Sequence, residues 1–184
     1  MRIFLAVFPS PDAQEAAARV IERLRKPGDG VSWVKRENLH YTVRFLGELG
    51  ESGLARVSEA AREAVAGQRR FEAALGATGA FPNARRARVL WLGLSEGAEA
   101  LADVAHAVEQ ALRRHGFERA DRGFTSHLTL GRVRERDQDW SERLAGVSAD
   151  PSPRFPVDRV TVVQSTLSPK GSIYQVRAEA MLEP

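Results

Sequence analysis

The chain has 184 residues, 43% hydrophobic and 28% charged, enough to bury one core and too apolar for a disordered chain. It contains no cysteine, which excludes a disulfide scaffold, a thiolate metal site and a thiol nucleophile. The net charge is +3 and the basic residues are almost all arginine, with lysine only at 26, 35 and 170. Arginine grips phosphate in a bidentate fork, so this excess suits a phosphate or RNA ligand; it equally suits the codon bias of a GC-rich genome.

Residues 2–8 (RIFLAVF) read as a buried strand. They lack the length and cleavage site of a signal peptide, and no apolar run reaches the roughly 18 residues of a membrane span. A cytoplasmic protein with no membrane partner is expected. Ser10 then offers a helix cap and Pro11 a first helical position. Apolar residues at 13, 16, 17, 20, 21 and 24 form a helical stripe. Pro27, Gly28 and Gly30 end it. A strand around His40 follows, then a helix over Gly53–Ala66 and a strand over 71–79. The polar segment Ala80–Arg88 is the expected junction of two lobes. Beyond it, 89–95 is a second short apolar run. Apolar residues at 101, 104, 105, 108, 111 and 112 make a second helical stripe, closed by Gly116. A strand around His127 and a short element at Trp140–Leu144 come next. A hairpin closes the chain, 158–167 and 172–182, turned by Ser168-Pro169-Lys170-Gly171.

One offset, 87 residues, superposes much of this pattern. It carries Phe4 onto Trp91, Leu5 onto Leu92, Ile21 onto Val108 and Leu75 onto Val162. It also carries His40 onto His127 and Thr42 onto Thr129. The chain therefore reads as one domain made of two half-repeats, about 1–84 and 85–184.

The two histidines lie in matched contexts, His40-Tyr41-Thr42-Val43-Arg44-Phe45-Leu46-Gly47 and His127-Leu128-Thr129-Leu130-Gly131-Arg132. Strand alternation puts His40, Thr42 and Arg44 on one face, and His127 with Thr129 on one face. Two imidazoles on opposite sides of a phosphorus atom serve in-line displacement: one activates water, the other protonates the departing oxygen. Each threonine hydroxyl offers a hydrogen bond to a phosphate oxygen. These residues need no metal and no cofactor. Alternation puts Arg44 within reach of the phosphate; it puts Arg132 on the wrong face unless the strand bulges. His106 is expected in solvent and His115 at a helix C-terminus. Phe8, Phe124 and Tyr174 are candidates to stack on a base, and Arg85, Arg86 and Arg88 to contact RNA.

Two His-x-Thr-x motifs in duplicated halves resemble the 2H phosphoesterase superfamily. HYTVRFLG, SHLTLGR and the opening RIFLAVFP are similar to the RNA 2′,3′-cyclic phosphodiesterase family, first named 2′-5′ RNA ligase. The resemblance spans about residues 2–181. It implies a bilobal α+β fold with pseudo-two-fold symmetry, antiparallel sheets facing a central cleft and helices outside. It implies hydrolysis of RNA 2′,3′-cyclic phosphate ends to 2′-phosphates, with His40 as proton donor and His127 as proton acceptor, and an arginine at position 132 in the site. The same site suits another cyclic or 2′-5′ nucleotide, and 2′-5′ ligation as the reverse reaction. A non-catalytic RNA-binding domain is the alternative of a different class. Nothing in the sequence calls for a protein partner, and a monomer is the default expectation.

Overall fold

Nine strands and four helices alternate along the chain in this computed structural model, which describes residues 1–135 and 138–184. The strands are β1 (Arg2–Val7), β2 (Val31–Trp33), β3 (Tyr41–Glu48), β4 (Phe71–Phe81), β5 (Val89–Glu96), β6 (Leu128–Val133), β7 (Phe155–Val157), β8 (Arg159–Ser168) and β9 (Gly171–Met181). The helices are α1 (Pro11–Leu24), α2 (Glu51–Val65), α3 (Ala98–Arg114) and the one-turn α4 (Ser141–Leu144). Ser10 caps α1 by accepting from the Ala13 amide at 3.3 Å, with Pro11 in the first turn. The face that α1 buries is Ala13, Ala17, Val20, Ile21 and Leu24, five of the six residues of the sequence stripe.

All pairings between named strands are antiparallel, and the order is β7-β4-β5-β6-β3-β1-β8-β9, with β2 beside β6. The expected two sheets are thus one continuous path, joined at its centre by a single pair, Tyr41 opposite Leu128. These two residues are 87 apart, so the pseudo-two-fold axis passes between them.

The strand order also shows an exchange. The offset relates β1 to β5, β3 to β6 and β4 to β8. Yet β4 pairs with β5 of the second half, and β8 pairs with β1 of the first. The half β3-β1-β8-β9 therefore takes β8 and β9 from the second part of the chain, and the half β7-β4-β5-β6, with β2 beside it, takes β4 and β2 from the first. Ala80–Arg88, expected as the junction between lobes, is instead the connection of the β4–β5 hairpin inside one lobe. The short strands β2 and β7 were not anticipated; three residues are too few to show a period.

One face of the sheet packs against the helices and forms the main core, with Ile3, Leu5, Val7, Tyr41, Leu90, Leu92 and Leu128 among its strand residues. The opposite face carries a smaller cluster of Phe4, Ala6 and Val163, flanked by Phe8 and Tyr174. This second face holds the histidines. Among the described residues no helix is long and apolar enough to cross a membrane.

Candidate active site

His40 and His127 stand just ahead of β3 and β6, next to the residues of the central pair. Their local geometry repeats. His40 Nδ1 lies 2.7 Å from the Asn38 carbonyl, and His127 Nδ1 lies 2.8 Å from the Thr125 carbonyl. A carbonyl only accepts, so both Nδ1 atoms carry the proton and both Nε2 atoms are the reactive ones. The Asn38 carbonyl is fixed in turn, because the Asn38 side-chain amide donates to the Ser172 carbonyl at 2.9 Å. His40 Nε2 accepts from the Thr42 hydroxyl at 2.9 Å.

Aromatic rings surround both imidazoles. Ring centroids of Phe4, Phe8 and Tyr174 lie 5.0, 5.4 and 5.5 Å from that of His40. Phe81 and Trp91 lie 5.0 and 6.4 Å from His127. Burial in this apolar setting lowers His40 to about 4 against the hydrogen bond to the Asn38 carbonyl, and the charge of Arg132 adds to the lowering. His40 is therefore neutral at pH 7. Burial also raises the Tyr174 hydroxyl, against the pull of Arg132.

The two arginines exchange their expected places. In β3, Thr42 pairs with Ala6 but Arg44 pairs with Leu5, so Val43 is an extra residue, a β-bulge. The bulge turns Arg44 to the helix side with Leu5 and turns Phe45 to the cleft side with Phe4. Arg44 is only 15% exposed; its Nε donates to Glu109 on α3 at 2.8 Å, and its other nitrogens donate to the carbonyls of Phe45 and Glu118. It is not free to meet a substrate, so the sequence expectation for Arg44 is overturned. In β6 the equivalent residue, Leu130, is bulged, with Thr129 opposite Trp91 and Gly131 opposite Leu90. That bulge brings Arg132 to the cleft face, where it is exposed. No carboxylate among the described residues pairs with it at the distance of an ion pair.

The stacking candidates divide. Phe8 and Tyr174 stand beside His40, whereas Phe124 packs against the main core. Phe4, Phe45, Phe81 and Trp91 line the cleft and were missed by sequence reading, although the offset had matched Phe4 with Trp91. His106 is exposed and bonds Gln110, and His115 caps α3 and pairs with Glu63 at 2.8 Å.

The family model of the 2′-5′ RNA ligase superfamily matches residues 9–168. The chain belongs to that superfamily. Relatives within it include the RNA 2′,3′-cyclic phosphodiesterase of Thermotoga maritima, 33% identical over 183 residues, covering 100% of this chain and 96% of the relative. The protein of the same name from Archaeoglobus fulgidus is 36% identical, covering 95% of this chain and 97% of the relative. Among solved structures, a Thermus thermophilus protein superposes with a TM-score of 0.80 at 30% identity, covering 99% of this chain and 98% of its own. Escherichia coli LigT, solved with 3′-AMP, gives 0.82 at 22% identity over 100% and 98% of the two chains, a likeness of fold. The superfamily fold thus extends over the whole described chain, both histidine strands included.

Proposed function

We propose that this protein is an RNA 2′,3′-cyclic phosphodiesterase that opens the cyclic end to a 2′-phosphate by metal-independent, two-histidine acid–base catalysis. The observation that carries the proposal is the repeated geometry of His40 and His127. Each gives Nδ1–H to a carbonyl two residues earlier, and the two flank one pseudo-two-fold axis. The names of the relatives, RNA 2′,3′-cyclic phosphodiesterases over nearly the full length, support the substrate class.

In the reaction His127 Nε2 takes a proton from water as the water oxygen bonds to phosphorus. The bond from phosphorus to the 3′ oxygen breaks on the opposite side, and His40 Nε2–H protonates that oxygen. The products are a 2′-phosphate and a 3′-hydroxyl. His40 must carry a proton to do this, and in the free protein it is neutral. A bound phosphodiester supplies the remedy: its negative charge opposes the depression of His40 by Arg132 and favours the imidazolium. Substrate binding thus loads the acid. Thr42, Thr129 and Arg132 hold the non-bridging oxygens. For 2′-5′ ligation the same groups serve with the 5′-hydroxyl of a second RNA in place of water: its oxygen bonds to phosphorus, His127 takes its proton, and the 3′ oxygen leaves protonated by His40. We take the protein to act as a cytoplasmic monomer.

The test is turnover of 2′,3′-cyclic AMP and of RNA with a 2′,3′-cyclic end, in chelator, with the product isomer identified. Release of the 2′-phosphate is expected. Unchanged substrate, a 3′-phosphate product, or activity abolished by the chelator would each overturn the proposal.

A further inference from the structure

The pseudo-two-fold axis relates two cleft-face positions with opposite chemistry. Position 45 holds phenylalanine and position 132 holds arginine, 87 residues apart, each delivered to the cleft by the bulge two residues before it. We infer that the cleft takes the RNA end in one polarity, with the terminal base on the Phe45 side and the upstream chain leaving past Arg132 over Arg134. The inference rests on the proposed cyclic phosphodiesterase activity and specifies how its substrate lies.

Phe45 is 51% exposed, unusual for a phenylalanine in a strand at the centre of a sheet. Its ring is parallel to that of Phe4, with a centroid distance of 5.9 Å and an interplanar angle of 5°. Phe4 in turn lies 5.0 Å from His40. One face of Phe45 is thus braced and the other is open, and a nucleobase stacks on such a face whatever its identity.

The opposite end is cationic. Arg134 follows Arg132 by two residues, about 7 Å along a strand, the scale of the step between successive RNA phosphates. It lies on the same side as Arg132, since its Nε donates to Ser32, the residue paired with Arg132. The acids nearby are otherwise engaged: Glu135 with Gln138, and Asp139 with the Ser141 amide and facing Arg85.

Three substrates test the polarity: ribose 2′,3′-cyclic phosphate without a base, 2′,3′-cyclic AMP, and a short oligoribonucleotide with a 2′,3′-cyclic end. Phe45→Ala should raise KM for cyclic AMP about 5- to 100-fold, the worth of one stacked base. It should leave the base-free substrate within twofold, and Phe45→Trp should restore the KM. Arg134→Gln should leave cyclic AMP unchanged. For the oligonucleotide it should raise KM and flatten the dependence of log kcat/KM on log salt by about 0.7, one lost phosphate contact on a single strand. Equal losses on all three substrates, an unchanged salt slope, or an oligonucleotide advantage removed by Phe45→Ala instead would overturn the polarity alone. Wild-type protein that opens none of the three overturns the cyclic phosphodiesterase reading, and the polarity with it.

Discussion

Tyr41 and Leu128 form the one pair that joins the two halves of the sheet, and each is the other's counterpart in the repeat. Their side chains enter the core on the helix side, and this sends their neighbours, His40 with Thr42 and His127 with Thr129, to the cleft side. Tyr41 is 1% exposed and donates its hydroxyl hydrogen to the Gly93 carbonyl at 2.9 Å, and burial raises its pKa far above the ordinary range. Tyr41→Phe removes this donor while keeping the ring. It should cost about 1–2 kcal/mol of stability, or a few degrees of Tm, while activity at 25 °C stays within severalfold. Thermal unfolding with parallel turnover measurements checks this; an unchanged Tm would mean that the hydroxyl contributes nothing to the central joint.

Removing either imidazole removes one proton transfer. His40→Ala and His127→Ala should each lower kcat about 10²–10⁴-fold, and the double variant should lose far less than the product of the two. Steady-state kinetics on 2′,3′-cyclic AMP, with circular dichroism for the fold, measures this. A folded variant with near-normal kcat would remove that histidine from the chemistry.

The depressed pKa of His40 makes stability depend on pH. The unfolded chain takes up this proton near the ordinary 6.5 and the folded chain only near 4. Between those values the unfolded state binds more protons, so stability should fall as pH drops from about 6.5 to about 4 and then level off for this group. The whole loss is about 3 kcal/mol. Denaturant midpoints of wild type and His40→Phe at pH 7, 5.5 and 4 isolate it, since the variant should lack this component. Parallel curves would contradict a partly buried, neutral His40. An NMR titration of the His40 ring should also move upward when inorganic phosphate is added.

Arg44 and Arg132 mark the limit of what alternation reveals. His40 with Thr42 and His127 with Thr129 were legible, because a single unbulged residue, Tyr41 or Leu128, separates the members of each pair. The arginines lie beyond the bulges at Val43 and Leu130, and neither residue signals a bulge: both are ordinary β-formers, and each bulge is set by pairing with the neighbouring strand. The strand exchange was hidden for a related reason. The offset identifies β4 and β8 as counterparts, but a strand's own sequence does not name the strand that will lie beside it. The bulges lead to opposite outcomes on mutation. Burial pushes Glu109 up, but the Ala120 amide and Arg44 hold it below the usual carboxylate range. Arg44→Ala should therefore cost about 1–3 kcal/mol of stability and leave KM near normal. Arg132→Ala should leave Tm near normal and reduce kcat/KM roughly 10²-fold. Reversed outcomes would restore the face assignment that simple alternation gave.

Gly79 is tied to the site through Trp91. The two are paired across β4 and β5, and a Cβ built on Gly79 would overlap the six-membered ring of Trp91. That indole helps to wall His127, directly and through Phe81, whose ring centroid is 5.1 Å away. Its Nε1 is already buried and has no hydrogen-bond partner among the described residues, so it has little to gain from moving deeper. Gly79 does not have a positive φ, so alanine there brings no backbone strain, and its effect isolates the clash. Gly79→Ala should cost about 1–3 kcal/mol by overpacking and should lower kcat by displacing the wall of His127. Shrinking the ring should relieve it: Gly79→Ala/Trp91→Leu should be less impaired in Tm than the two single losses added together. A double-mutant cycle in Tm and kcat measures the coupling. Strict additivity would mean that Trp91 does not need the space that glycine leaves.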